Sequence, residues 1–204
     1  MRKIYITHET IGSDEEMLLC EDLQDLAKFY MGPADSVNDS DATCEILVEF
    51  ICTKALFPIY LTFEPLSGME DDLERLFQSE NIEYSLRFES PKNKQLPVFK
   101  LTIETPSTLT LVFRETFLAA ICNHFYALSL SDNIIYKSVV GKSWFGHEKT
   151  LTWPHFDMNA ASTVIEIWHD GDGFNLYTNE AHFSTIEKLV NHFPAGTSFE
   201  KNED

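Results

Sequence analysis

Between Ile82 and Ile103 the residue pattern leaves the chain little choice but two strands. Ile82, Tyr84, Leu86 and Phe88 alternate with Glu83, Ser85 and Arg87. After the polar turn Ser90-Pro91-Lys92-Asn93-Lys94, Phe99, Leu101 and Ile103 alternate with Lys100, Thr102 and Glu104. Successive strand side chains point to opposite faces, so a period of two with one apolar face describes half-buried antiparallel strands. An isolated pair is at best marginal in water, so further strands or helices must cover its apolar side.

Other segments supply candidates for that cover. Ser13 and Glu16 have the spacing of a capping box and predict a helix from Asp14 to about Met31, stopped by Gly32-Pro33. Residues 33–42 are turn formers without periodicity and read as an exposed loop. Ile46, Val48, Phe50 and Cys52 alternate with Glu45, Leu47, Glu49 and Ile51, which predicts a strand, and Phe57 to Phe63 predicts another, with Pro58 at an edge or first position. Ser67 and Glu70 form a second capping box, opening a helix to about Glu80 with Met69, Leu73, Leu76 and Phe77 on one side.

The second half reads in the same way. A long helix capped by Ser107 or Thr108 is expected to run to about Tyr126, and residues 127–131 and 134–140 read as a hairpin around Asp132-Asn133. Gly141 to Ala161 looks irregular. A hairpin joins Val164–Trp168 to Phe174–Thr178, its Asp-Gly-Asp-Gly turn suggesting a primed type. Asn179 is expected to cap a last helix, Glu180 to about His192, with a loose tail after Phe199. The whole predicts an α+β fold of antiparallel sheet with about four helices in strand-strand-helix units. It is read as a single domain over 1–204, or as two packed halves, 1–106 and 107–204.

Composition narrows function. The 204 residues carry 33 Asp and Glu against 15 Lys and Arg, a net charge of −18. A small soluble domain usually carries about 2–8 charges, so this excess stands apart. It excludes a free-standing binder of nucleic acid or anionic membrane, which needs a basic footprint. With 44% hydrophobic residues, 16 of them Phe, the chain can offset the entropy of folding and is not disordered. No apolar run approaches the roughly 20 residues of a membrane helix, and the first residues show no secretory h-region, so a cytoplasmic protein is expected. Cys20, Cys44, Cys52 and Cys122 form no Cys-x-x-Cys pair and read as buried, reduced thiols.

The charge is concentrated. Residues 9–49 hold twelve acids and one base, Lys28, or −11 of the −18. On a helix turning about 100° per residue, Leu19, Leu23, Leu26, Ala27 and Tyr30 face one way, and Asp14, Glu21, Asp22 and Asp25 the other. Leu18 and Phe29 fall among the acids. Acids around one or two apolar anchors suit a basic partner protein: charge raises the association rate and the anchors hold. Asp14, Leu18, Glu21, Asp22, Asp25 and Phe29 are therefore the expected partner-binding residues. The alternative is a solvated helix face with Leu18 and Phe29 covered by the 33–42 loop.

Candidate chemistry is sparse. Gly141-Lys142-Ser143 ends like a phosphate loop, but the first glycine of that motif is replaced by Tyr136. His147, His155, Asp157, His169, Asp170 and Asp172 could bring imidazoles and carboxylates together around a divalent metal, yet no spacing is diagnostic, and turn chemistry explains Asp170 and Asp172. His124 reads as an interior histidine. No nucleophile elbow or dinucleotide-binding glycine pattern occurs. Trp144, Phe145, Trp153 and Phe156 are either a second contact surface or a plug under a loop. The expectation is a non-enzymatic, inhibitor- or immunity-type protein or a nucleic-acid mimic, without cofactor or metal, that engages a basic protein. The alternatives are a metal-dependent hydrolase using His155, Asp157 and His169, and a structural subunit of a larger assembly.

Overall fold

A computed structural model describes residues 3–11, 26–34, 39–89, 96–142, 148–156 and 159–202. Nine strands make one sheet, in the order β11-β1-β2-β10-β9-β6-β3-β5-β4. They are β1 (Lys3–Glu9), β2 (Ala27–Pro33), β3 (Ile59–Phe63), β4 (Glu83–Glu89), β5 (Leu96–Ile103), β6 (Tyr126–Ser129), β9 (Thr163–Ile167), β10 (Phe174–Thr178) and β11 (Ser198–Asn202). Only β1 and β11 run parallel; every other pairing is antiparallel. A separate two-stranded sheet pairs β7 (Ile135–Lys142) with β8 (Glu148–His155). Five helices are described: α1 (Ser40–Thr53), α2 (Glu70–Ser79), α3 (Pro106–Thr116), α4 (Leu118–Ile121) and α5 (Ile186–Val190). The class is the α+β expected, with a larger sheet.

One face of the big sheet presents Ile4, Ile6, Phe29, Met31, Leu61, Phe63, Phe99, Leu101, Ile165 and Leu176, and the helices close over it in the main core. The β7–β8 hairpin lies over the other face. There Ala127, Ile134, Phe156, Val164 and Tyr177 form a second cluster, with Phe125 and Tyr136 rings 5.3 Å apart and Thr152 Oγ1 donating to Glu64 at 3.0 Å. Phe156 is therefore a plug, 2% exposed.

The pair β4–β5 sits as expected, with Phe99, Leu101 and Ile103 fully buried. β3 follows Pro58 directly, and Leu73 and Phe77 face inward from α2. That helix begins after Met69 without a side-chain cap, so the expected Ser67–Glu70 box is not what starts it.

Other expectations are corrected. Residues 40–53 are helix, not strand. Asp39 accepts a hydrogen bond from Ala42 N at 2.9 Å, and the buried residues Thr43, Ile46, Leu47, Phe50 and Ile51 follow helical spacing. Ser40–Ala42 belong to this helix rather than to a loop. Residues 27–33 are strand, not the end of a helix: Phe29 and Met31 face the helices while Lys28 and Tyr30 face the hairpin side.

The long helix of the second half stops early. Thr105, not Ser107 or Thr108, caps α3, accepting from Thr108 N at 3.2 Å with Pro106 in the first turn. After α4, Asn123 takes a left-handed φ of 61° and ends the helical run, releasing Tyr126 into β6. β6 and β7 lie in different sheets rather than in one hairpin, and within the segment expected to be irregular Gly141, Lys142 and Glu148–His155 belong to the β7–β8 ribbon. The last helix is short, capped by Thr185 rather than Asn179. The tail expected to be loose is an edge strand, β11. β1 has no counterpart among the sequence expectations.

The β9–β10 connection spans residues 168–173, with a 3-10 turn at His169–Gly171 instead of a two-residue primed turn. Gly173 is required there. Its φ is 81°, and a Cβ would lie 2.5 Å from Tyr30 Oη and 2.7 Å from the Met31 carbonyl. Gly173 N donates to Thr43 Oγ1 at 2.8 Å, tying the hairpin tip to α1.

Candidate functional surface

The helix layer carries acids in a defined arrangement. Along α1, Asp41, Glu45 and Glu49 recur every four residues and fall on the side away from the core. Neighbours at that spacing rise about 6 Å along the axis. The helix α1 itself contains no Lys or Arg. On α2, Glu70, Asp71 and Asp72 open the first turn, where carboxylates complement the helix dipole. Arg75 pairs with Asp72, and Glu74 accepts from Tyr84 Oη at 3.0 Å.

Phe29 does not join such a surface. It is 1% exposed, on β2 in the main core, with the His8 ring 5.1 Å away. The helical wheel misplaced it because strand geometry sends Phe29 and Lys28 to opposite faces. Lys28, the base within the acidic stretch, is also buried, 3.0 Å from Glu9 and 5.7 Å from the Tyr177 ring centroid. Asp14, Leu18, Glu21, Asp22 and Asp25 lie outside the described residues, as do Cys20, Trp144 and Phe145. The acids on α1 were visible in the sequence as charge, but the strand pattern assigned to residues 45–52 hid the ridge they form.

Of the histidine and carboxylate set, His155, His169, Asp170 and Asp172 do not come together as metal ligands, and His147 lies outside the described residues. His155 ends β8 opposite Ile135, and Asp157 lies outside the described residues. His169 instead meets Asn123: Nδ1 and Oδ1 are 2.9 Å apart, Asp170 N donates to the same oxygen at 3.0 Å, and Asn123 Nδ2 donates to Asp170 Oδ1 at 2.7 Å. This side-chain clasp holds two left-handed residues, Asn123 and Asp170, and accounts for both as turn chemistry. Among the described residues no three His, Cys, Asp or Glu side chains converge as metal ligands. Gly141 and Lys142 lie in β7, so they do not form a phosphate loop. His124 is half-buried in the turn before β6.

A cleft of about 330 Å³ opens at the end of β3, lined by Leu56, Phe57, Tyr60, Asp132, Glu180 and His182 among others. Lys100 Nζ lies 5.5 Å from the Tyr60 ring centroid and 3.4 Å from the Asp132 carbonyl. Lys100 thus sits in cation–π range of Tyr60 beside a carbonyl oxygen.

Behind the cleft, His192 packs against Phe183 and Phe50, with ring centroids 4.5 and 5.7 Å away. Its Nδ1 is buried without a hydrogen-bond partner among the described residues. Desolvation, then the nearby His182 and Lys54, holds its pKa below the usual imidazole value. The folded state therefore prefers neutral His192, while the unfolded chain takes up the proton first. Stability is unaffected above the unfolded pKa of about 6.5 and falls as pH drops through it. Between about pH 7.5 and 5.5 the melting temperature of the native chain should fall more than that of His192→Phe. Equal slopes in thermal melts would remove His192 from the pH response.

The thiols separate by environment. Burial, then the Asp41 and Glu45 carboxylates, pushes the Cys44 pKa up to about 11. Burial also raises Cys52, whereas Cys122 is exposed, contrary to the expectation that every thiol is buried. At pH 8 about one Cys44 in a thousand is thiolate. Iodoacetamide followed by peptide mass mapping should label Cys122 in the native protein and Cys44 only after unfolding.

The chain matches no family model, no curated protein and no solved structure. No helix among the described residues is long and apolar enough to cross a membrane.

Proposed function

We propose that this is a non-enzymatic acidic binding protein, of inhibitor or immunity type or a nucleic-acid mimic, that engages a basic surface of a partner protein. One observation carries the reading: the Asp41, Glu45 and Glu49 ridge on the outward side of α1. Acids repeating along the outward side of one helix set a row of negative charge that a cationic surface can lie along. Carboxylates at that rise can also stand in for a row of phosphates before a nucleic-acid-handling protein. The sequence adds Asp14, Leu18, Glu21, Asp22 and Asp25 as further candidates on the same acidic stretch.

The test is capture of the partner at low and at high salt. Exposed charges separated by more than about 8 Å are screened at 0.15 M ionic strength, so an electrostatically steered complex should weaken as salt rises. Asp22→Lys with Asp25→Lys should weaken it at low salt too. A partner held equally at both salt concentrations and by both proteins would point to a structural subunit held by apolar contact.

A further inference from the structure

We propose that two copies of this chain join through their β4 edges, antiparallel and centred on Ser85, to make one continuous sheet. β4 ends the nine-stranded sheet, so its outer backbone N–H and C=O groups have no strand beside them among the described residues. It is a seven-residue strand, and Phe88 on it is 56% exposed. Glu83, Ser85 and Arg87 are exposed on the face away from the helices, and neither Glu83 nor Arg87 has an ion-pair partner among the described residues.

The register follows from geometry and charge. Outward-pointing backbone groups belong to alternate residues, so a symmetric antiparallel pair must match residues of the same parity and be centred on a residue, not between two. Centring on Leu86 sets Glu83 against Glu89. Centring on Arg87 sets that residue against itself. Centring on Tyr84 leaves Glu83 facing Ser85 and Arg87 facing Asn81. Only the Ser85 centre sets Glu83 of each copy against Arg87 of the other, twice by symmetry. It also sets Tyr84 against Leu86 and the exposed Phe88 against Ile82. Opposite charges and aromatic–aliphatic pairs directly across an antiparallel ladder are both favourable. The interface is isologous and closes at two copies. The proposal is independent of the acidic ridge on α1.

Sedimentation of the full chain at about 0.15 M salt, where the repulsion of two acidic proteins is screened over about 8 Å, reads the outcome. The native chain should show a reversible monomer–dimer equilibrium. Arg87→Glu alone and Glu83→Arg alone should each raise the dissociation constant about tenfold or more, since two attractive pairs become repulsive. Mixing the two single variants should restore dimerisation, because both cross pairs are then opposite in sign. As a second readout that does not depend on the charge variants, Ser85→Cys in a Cys122→Ser background should form, under mild oxidation, a disulfide between the two introduced sulfurs, since cross-strand Cα spacings of about 4.5–5.5 Å allow one. A native chain that stays monomeric at high concentration would overturn the proposal. So would a dimer that ignores both charge variants and gives no such cross-link.

Discussion

Phe50→Ala should lower the stability of this protein by about 3–5 kcal/mol, among the larger effects of any single substitution, measured by urea unfolding. Phe50 is fully buried on α1 and touches three rings from the C-terminal segment: Phe183 at 6.0 Å, His192 at 5.7 Å and Phe193 at 5.3 Å. Removing it empties the junction between α1 and the last helical segment, and the surrounding aromatic rings can collapse into the space only partly. The companion measurement concerns its neighbours. As a helix, α1 buries Leu47 and leaves Val48 half-exposed; as a strand, it would have placed Val48 with Phe50 and Leu47 on the opposite side. Leu47→Ala should therefore cost about 2–5 kcal/mol and Val48→Ala under about 1 kcal/mol. The reverse order would restore the strand.

That contrast marks where local pattern sufficed and where it did not. β4, β5 and α2 were legible because their apolar positions fit one period only, and each is bounded by Gly, Pro or polar turn residues. The segment 45–52 is apolar enough to satisfy a period of two and the i, i+3, i+4 spacing together. What decides it is Asp39 capping Ala42 N and the packing of Leu47 and Ile51 on the sheet, the second being tertiary. Ala27–Pro33 failed for the opposite reason: Ala, Lys and Met favour helix, but pairing with β1 and β10 on both sides puts the segment in the sheet. The Asn123 clasp on the 169–170 turn joins residues more than forty positions apart, beyond any spacing rule.

The candidate surface was legible as charge and not as place. A count of acids singles out residues 9–49 but does not place them on a surface. The anchor Phe29 was misplaced because its secondary structure was misread. The ridge on α1 needed the helix to be recognised before Asp41, Glu45 and Glu49 could be aligned.

Reversal of that ridge should have the largest effect on binding. Asp41→Lys, Glu45→Lys and Glu49→Lys together replace attraction to a cationic surface by repulsion at three points. Each truncated or reversed charge at a steered interface typically changes affinity by about 1 kcal/mol or more, so the loss should reach at least about a hundredfold. Outward positions on a helix tolerate such changes, and cooperative melting will show that the fold persists.

Net charge alone is separated from the ridge by a matched control, Glu104→Lys, Glu187→Lys and Glu200→Lys. It changes the total equally at exposed positions outside α1, losing the Lys3–Glu200 and Lys201–Glu187 surface ion pairs and the Glu187 hydrogen bond to Thr185 in the first turn of α5. The decisive measurement is titration of the partner captured at low salt against the native chain, the ridge variant and the control. Affinity lost in the ridge variant and kept in the control is the expected result; equal loss in both, or in neither, would contradict a binding surface on α1.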